Sequence, residues 1–166
     1  MQAPAAVQRS ARLALRAAAA LAFLPPLLTR LVLGQAFFFT GRGKLDNFEG
    51  TVAFFTDLGI PMPAANAAFV ARLEYYGGML LVVGLLTRLT ALLLSSTMVV
   101  ALLTADRPLF VQALSGSGEA GLTDVTPFVY LLLLLWLVVF GPGALSLDGL
   151  LARWVRPRDE PVPAAA

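Results

Sequence analysis

Apolar residues in this chain do not alternate with polar ones; they run. From Ala64 to Ala105 only Asn66, Arg72, Glu74, Arg88 and scattered hydroxyls interrupt them. Taken as one helix from Ala67, that stretch would be about 58 Å long, roughly twice the hydrocarbon thickness of a bilayer. Two spans are therefore expected, over 67–86 and 88–105, with a tight turn at Thr87-Arg88. A first span is expected over 24–42, where Pro25 and Pro26 suit a helix start because the first turn does not need their missing N–H groups. A fourth, over 125–141, carries no charge within Thr126–Phe140 and is broken by Gly141-Pro142-Gly143.

The segments between and beyond the spans are patterned differently. Phe48, Val52 and Phe55 recur at i, i+4, i+7 while Asp46, Glu49 and Asp57 fall elsewhere, which predicts a short amphipathic helix on the membrane surface, ended by Gly59-Ile60-Pro61-Met62-Pro63. Asp106-Arg107-Pro108 closes the third span, and 106–124 reads as a Gly/Ser-containing loop ending in Thr123-Asp124 as a helix cap. Ser146 and Asp148 suit the start of a last short interfacial helix, 147–155, with Leu150, Leu151 and Trp154 beside Arg153 and Arg156. Residues 1–23 set Arg9, Arg12 and Arg16 on one side of a helix, a basic amphipathic segment lying on the membrane. A secretory signal peptide is the rival reading, disfavoured because no small-x-small cleavage site follows. Residues 157–166 read as a disordered tail. The expected architecture is all-α: an integral membrane four-helix bundle over 24–156, with short amphipathic helices between spans one and two and at both ends.

Composition agrees with that pattern and narrows the chemistry. Of the 166 residues 58% are hydrophobic and 13% charged, with a mean hydropathy of +0.80, far above a soluble domain of this length. The chain has no Cys and no His, so disulfides, thiolate chemistry, the usual zinc sites, His-ligated haem and imidazole-dependent triads are excluded, and neither a metal site nor a covalent cofactor is expected. Its cations are almost all Arg at the edges of apolar runs, a membrane-orientation pattern and not a nucleic-acid patch. With four spans, Arg9, Arg12, Arg16, Arg88, Arg153, Arg156 and Arg158 share one side against Arg42, Lys44 and Arg107 on the other, which predicts both termini in the cytoplasm.

Glu74 is the costly residue, because a carboxylate inside hydrocarbon costs on the order of 2–3 kcal/mol and needs a partner, a proton or a task. Arg30, Gly34, Phe37, Gly41 and Lys44 share one face of the first span, as Glu74, Gly77, Leu81, Gly84 and Arg88 share one face of the second. Antiparallel helices would then set Lys44 level with Glu74, Gly41 with Gly77, Gly34 with Gly84 and Arg30 with Arg88, and Gly34, Gly41, Gly77, Gly78 and Gly84 would allow close backbone approach. In that register Arg30 and Arg88 gather with no acid beside them and invite an anion: a lipid phosphate, or an acidic or quinone-like ligand. Snorkelling to lipid headgroups is the simpler explanation of both arginines. For Glu74 the alternatives are a structural ion pair with Lys44, Arg42, Arg72 or Arg30, or a proton acceptor beside a ligand pocket. Tyr75 and Tyr76 then border that pocket or serve as interfacial aromatics. The hydroxyls Ser95-Ser96-Thr97 either bond back to their own helix or line a pore.

Arg30-x3-Gly34, Gly43-Lys44-Leu45, Gly59-Ile60-Pro61, Glu74-x2-Gly77-Gly78, Gly84-x2-Thr87-Arg88 and Gly141-x-Gly143-x2-Ser146-Leu147-Asp148 together resemble the DoxX family of small four-helix bacterial membrane proteins, over about residues 24–150. The resemblance implies a multi-pass protein of the bacterial inner membrane, related to DoxD, a subunit of thiosulfate:quinone oxidoreductase. It implies a place in a respiratory or redox-stress assembly, a membrane or peripheral oxidoreductase subunit as partner and quinone as ligand. It carries no catalytic residue over to this chain, and the basic N-terminal segment is atypical of the family pattern. A ligand-free membrane scaffold and a small-molecule transporter are the competing functions, the second weakened by the lack of broken spans or internal repeats.

Overall fold

The computed structural model describes residues 5–155, so the tail, Arg156 and Arg158 lie outside the described residues. The described residues are helical, without strand: α1 (Ala5–Leu21), α2 (Leu24–Asp46), α3 (Phe48–Asp57), α4 (Pro63–Val83), α5 (Thr87–Leu103), α6 (Arg107–Ser115), a 3-10 turn (Leu122–Asp124), α7 (Thr126–Phe140) and α8 (Leu147–Val155). Proline sits in the first turn of α2, α4, α6 and α7, where its fixed φ favours the helix.

The most extensive packing joins α2 to α4, and α5 to α7 comes next. Glycine explains the first pair. A Cβ on Gly34 would lie 2.8 Å from the Gly78 carbonyl oxygen, and one on Gly41 would lie 2.7 Å from Tyr75 Cα, so the two backbones touch only because these positions are bare. Leu33, Phe37, Leu81, Ala91, Leu94, Leu134 and Leu137 fill the core between the two pairs. Ser95, Ser96 and Thr97 donate to the carbonyls of Ala91, Leu93 and Leu94 on their own helix.

Several expectations require correction. Gly77 does not face Gly41: a Cβ there would meet Thr90 and Leu94 of α5 at 3.3 and 3.4 Å, while Gly78 takes the place against α2. One residue is about 100° of helix rotation, which separates one neighbour from the other. The turn between α4 and α5 lies at Gly84-Leu85-Leu86, not at Thr87-Arg88, because Gly84 (φ 71°) and Leu86 (φ 51°) take the left-handed conformation and Thr87 already starts α5. The expected loop over 106–124 contains α6, whose axis is bent 79° from α5. Asp124 caps no part of α7; its carboxylate accepts the Gly121 N–H at 2.8 Å and closes the 3-10 turn.

The four expected spans are not equally long or apolar. Among the described residues one helical run, Ala11–Asp46, is long and apolar enough to cross a membrane, and it carries α1 into α2 through the break at Ala22-Phe23. Among the described residues of the expected surface segment 1–23, α1 leads into α2 through this break. The bent pair α5 and α6 together meets the same test, and α7 is apolar but 15 residues long.

Candidate functional site

Polar side chains collect at the two ends of the α2–α4 pair. At the C-terminal end of α2, Glu74 is 2% exposed, enclosed by apolar helix on either side. The Lys44 ammonium, itself half-buried, donates to its carboxylate and forms an ion pair. A buried carboxylate with an opposite charge in contact is the arrangement that makes burial tolerable. Gly41 lets the α2 backbone come against Glu74 and Tyr75, and the Tyr75 ring stacks on Phe38 with centroids 5.0 Å apart. The result is a cation, a carboxylate and a flat aromatic pair in one neighbourhood. Arg42 pairs instead with Asp46, and Arg72 donates to the Ala68 carbonyl of its own helix.

The opposite end departs from the expected cluster. Arg30 is 1% exposed and lies against Gly84, whose missing side chain leaves the space for Nη1. Its Nη2 donates to the Leu145 carbonyl at 2.5 Å, while Nε and Nη1 have no hydrogen-bond partner among the described residues. Arg88 is exposed, donates to the Val139 carbonyl at 3.3 Å and passes over Gly141. The two arginines thus have different partners, and an acid is close by: Asp148 is bonded through its N–H to the carbonyl of Gly84, against which Arg30 lies, and lines one cleft with Arg88.

Asp148 is the residue whose role the sequence concealed. Its carboxylate accepts the N–H groups of Leu86 and Thr87, both at 2.8 Å, and so caps α5, while its own N–H donates to the Gly84 carbonyl. The start of α8 is capped by Ser146, whose hydroxyl accepts the Gly149 N–H at 3.0 Å. The tripeptide Ser146-Leu147-Asp148 therefore serves two helices, and only the serine caps the start of α8.

A cleft of about 550 Å³ opens sideways between α4 and α5, walled by Phe69, Leu73, Leu89 and Leu93, with Arg72 and Tyr76 along it. Much of the surface outside these places is apolar: Val32, Phe39, Leu92, Leu132, Val139 and Phe140 are each more than half exposed. Among the described residues no group of three His, Cys, Asp or Glu could hold a metal.

The class so defined is a small helical bundle with an apolar exterior and polar residues gathered at its ends. The chain belongs to the DoxX family, whose model matches residues 26–107. It is 34% identical over 124 residues to a Bacillus subtilis protein named "Putative oxidoreductase CatD", covering 74% of this chain and 83% of that one. It is 31% identical to the inner membrane protein YqjF and 30% identical to the inner membrane protein YphA, both of Escherichia coli, covering 75% and 74% of this chain and 90% and 86% of theirs. No solved structure matches.

Proposed function

We propose that this chain is a multi-pass inner-membrane protein, with α2, α4, α5 and α7 as its spans, that serves a quinone-linked redox assembly as a subunit and not as a free-standing catalyst. The apolar exterior and two relatives named as inner membrane proteins support the location. Orientation follows from charge. The end bearing the α4–α5 turn, α1 and α8 holds Arg9, Arg12, Arg16, Arg30, Arg88 and Arg153 against Asp148 alone among the described residues. The end bearing α3 and α6 holds four cations and seven acids. The positive end is cytoplasmic.

The observation that carries the redox reading is Glu74, sealed at 2% exposure and paired with a lysine that is itself reachable. A bound quinone supplies the redox chemistry, taking up two electrons and two protons, the electrons coming from a partner oxidoreductase. The chain's own residues fit the remaining tasks: the Lys44 ammonium donates to a carbonyl oxygen, Glu74 holds and passes a proton, and the Phe38–Tyr75 stack offers a flat surface to a ring.

Purified with native lipid, the protein is expected to retain quinone and to capture an oxidoreductase, and Glu74→Gln is expected to weaken quinone retention without unfolding the bundle. Only phospholipid in the extract and no oxidoreductase in the pull-down would leave a scaffold, the reading favoured by the mutual satisfaction of Lys44 and Glu74.

A further inference from the structure

Every described side chain of α1 is exposed, so the helix has a face on which nothing in the fold rests. Arg9, Arg12 and Arg16 fall within about 60° of its circumference, and Ala11, Ala14, Ala18 and Leu21 lie on the opposite arc. The helix contains no acid, and none of the three arginines is ion-paired among the described residues. Its apolar arc is too narrow and alanine-rich to hold a protein partner by burial alone, and its charge is of one sign.

The junction beneath it is built to bend. Pro25 and Pro26 have no N–H to donate to the carbonyls of Leu21 and Ala22, so the helical ladder is interrupted there, beside the turn at Ala22-Phe23. The run Ala11–Asp46 holds 36 residues, about 54 Å of helix, so some of it must leave a hydrocarbon layer about 30 Å thick. The break after α1 also lies beside the linker that leads into α8, since a Cβ on Gly143 would lie 3.1 Å from Pro26 at the start of α2 and 3.8 Å from the Phe23 carbonyl. Beyond that linker α8 exposes Leu147, Leu150, Leu151 and Trp154, the last 92% exposed.

We propose that α1 is a hinged arm that folds at Ala22-Phe23 onto the anionic phospholipid surface of the leaflet holding the bundle, Arg9, Arg12 and Arg16 engaging lipid phosphates and the alanine arc resting in the headgroup region beside α8. This rests on the membrane reading above but not on quinone. Charge complementarity selects the occupant: each arginine near an anionic surface strengthens binding about fivefold, so three together supply about a hundredfold, and neutral lipid supplies none of it.

The chain has no cysteine, so a single one labels uniquely. Full-length protein carrying Ala14→Cys with an environment-sensitive fluorophore is placed in nanodiscs of phosphatidylcholine, with or without phosphatidylglycerol. A blue shift is expected only with phosphatidylglycerol, reversed by high salt and lost when Arg9, Arg12 and Arg16 are all changed to Gln. An equal shift in neutral discs, no shift in anionic discs, or a shift that survives the triple substitution overturns the proposal, as does crosslinking of the label to a second copy. A parallel label at Leu132→Cys, on the outer face of α7, separates the two readings. If it reports hydrocarbon while the Ala14 label stays in water, docking alone fails; if it reports water, the membrane reading fails as well.

Discussion

Arg30 occupies the space that a side chain on Gly84 would need, so α2 is keyed into the turn that joins α4 to α5. The key is tight in two ways, because Gly84 also holds a left-handed φ of 71°. Substitution by alanine adds the backbone cost of that conformation, about 1–2 kcal/mol, to the cost of displacing a buried guanidinium. Gly84→Ala is expected to destabilise the protein by at least about 2 kcal/mol in thermal unfolding. Combined with Arg30→Met it should cost less than the sum of the two single changes; strict additivity would show that the contact carries no energy.

Glu74→Lys is expected to cost about 3–5 kcal/mol, the usual penalty for breaking a buried pair, because it sets two cations where Lys44 now meets a carboxylate. Adding Lys44→Glu restores opposite charges and should recover much of the loss. A double mutant no more stable than Glu74→Lys alone would show that Glu74 depends on another group.

Asp148→Ala removes both acceptors from the first turn of α5 and should cost about 1–2 kcal/mol. Hydrogen exchange should quicken at the Leu86 and Thr87 amides ahead of those in the middle of α5. Asp148→Asn, which keeps one acceptor, should fall between. Unchanged exchange at those two amides would contradict the cap.

Reporters fused after Val155 are expected to read cytoplasmic, and those inserted at Gly59 or Ser117 to read external. Gly59 and Ser117 lie at the end where acids outnumber cations, beside α3 and α6. The reverse pattern would invert the orientation and place α1 against the wrong leaflet.

What the sequence disclosed depended on how local the cause was. Thr126–Phe140 and Leu147–Val155 were readable because proline, glycine and a capping serine mark their ends within the segment itself. The meeting of Lys44 and Glu74 was readable because only one lysine exists and a buried acid restricts its partners. By contrast, α6 was hidden by the Gly and Ser that follow it, although Pro108 in its first turn announced a start. The choice between Gly77 and Gly78 turned on a single helical step that adjacent glycines leave open. Asp148 was misassigned for a stronger reason: the amides it caps lie 62 and 61 residues away, and no local pattern encodes which chain end folds back to them.

The 15 residues of α7 extend about 22 Å, which leaves that flank of the bundle short of a typical hydrocarbon layer by about 8 Å. With α7 as one of the spans proposed above, the bilayer would have to pinch inward along this one side while keeping its ordinary depth beside α2, because lipid cannot leave a polar helix end buried. In that arrangement the protein would carry a wedge-shaped lipid annulus with it, and membranes of shorter acyl chains would hold it with the least distortion.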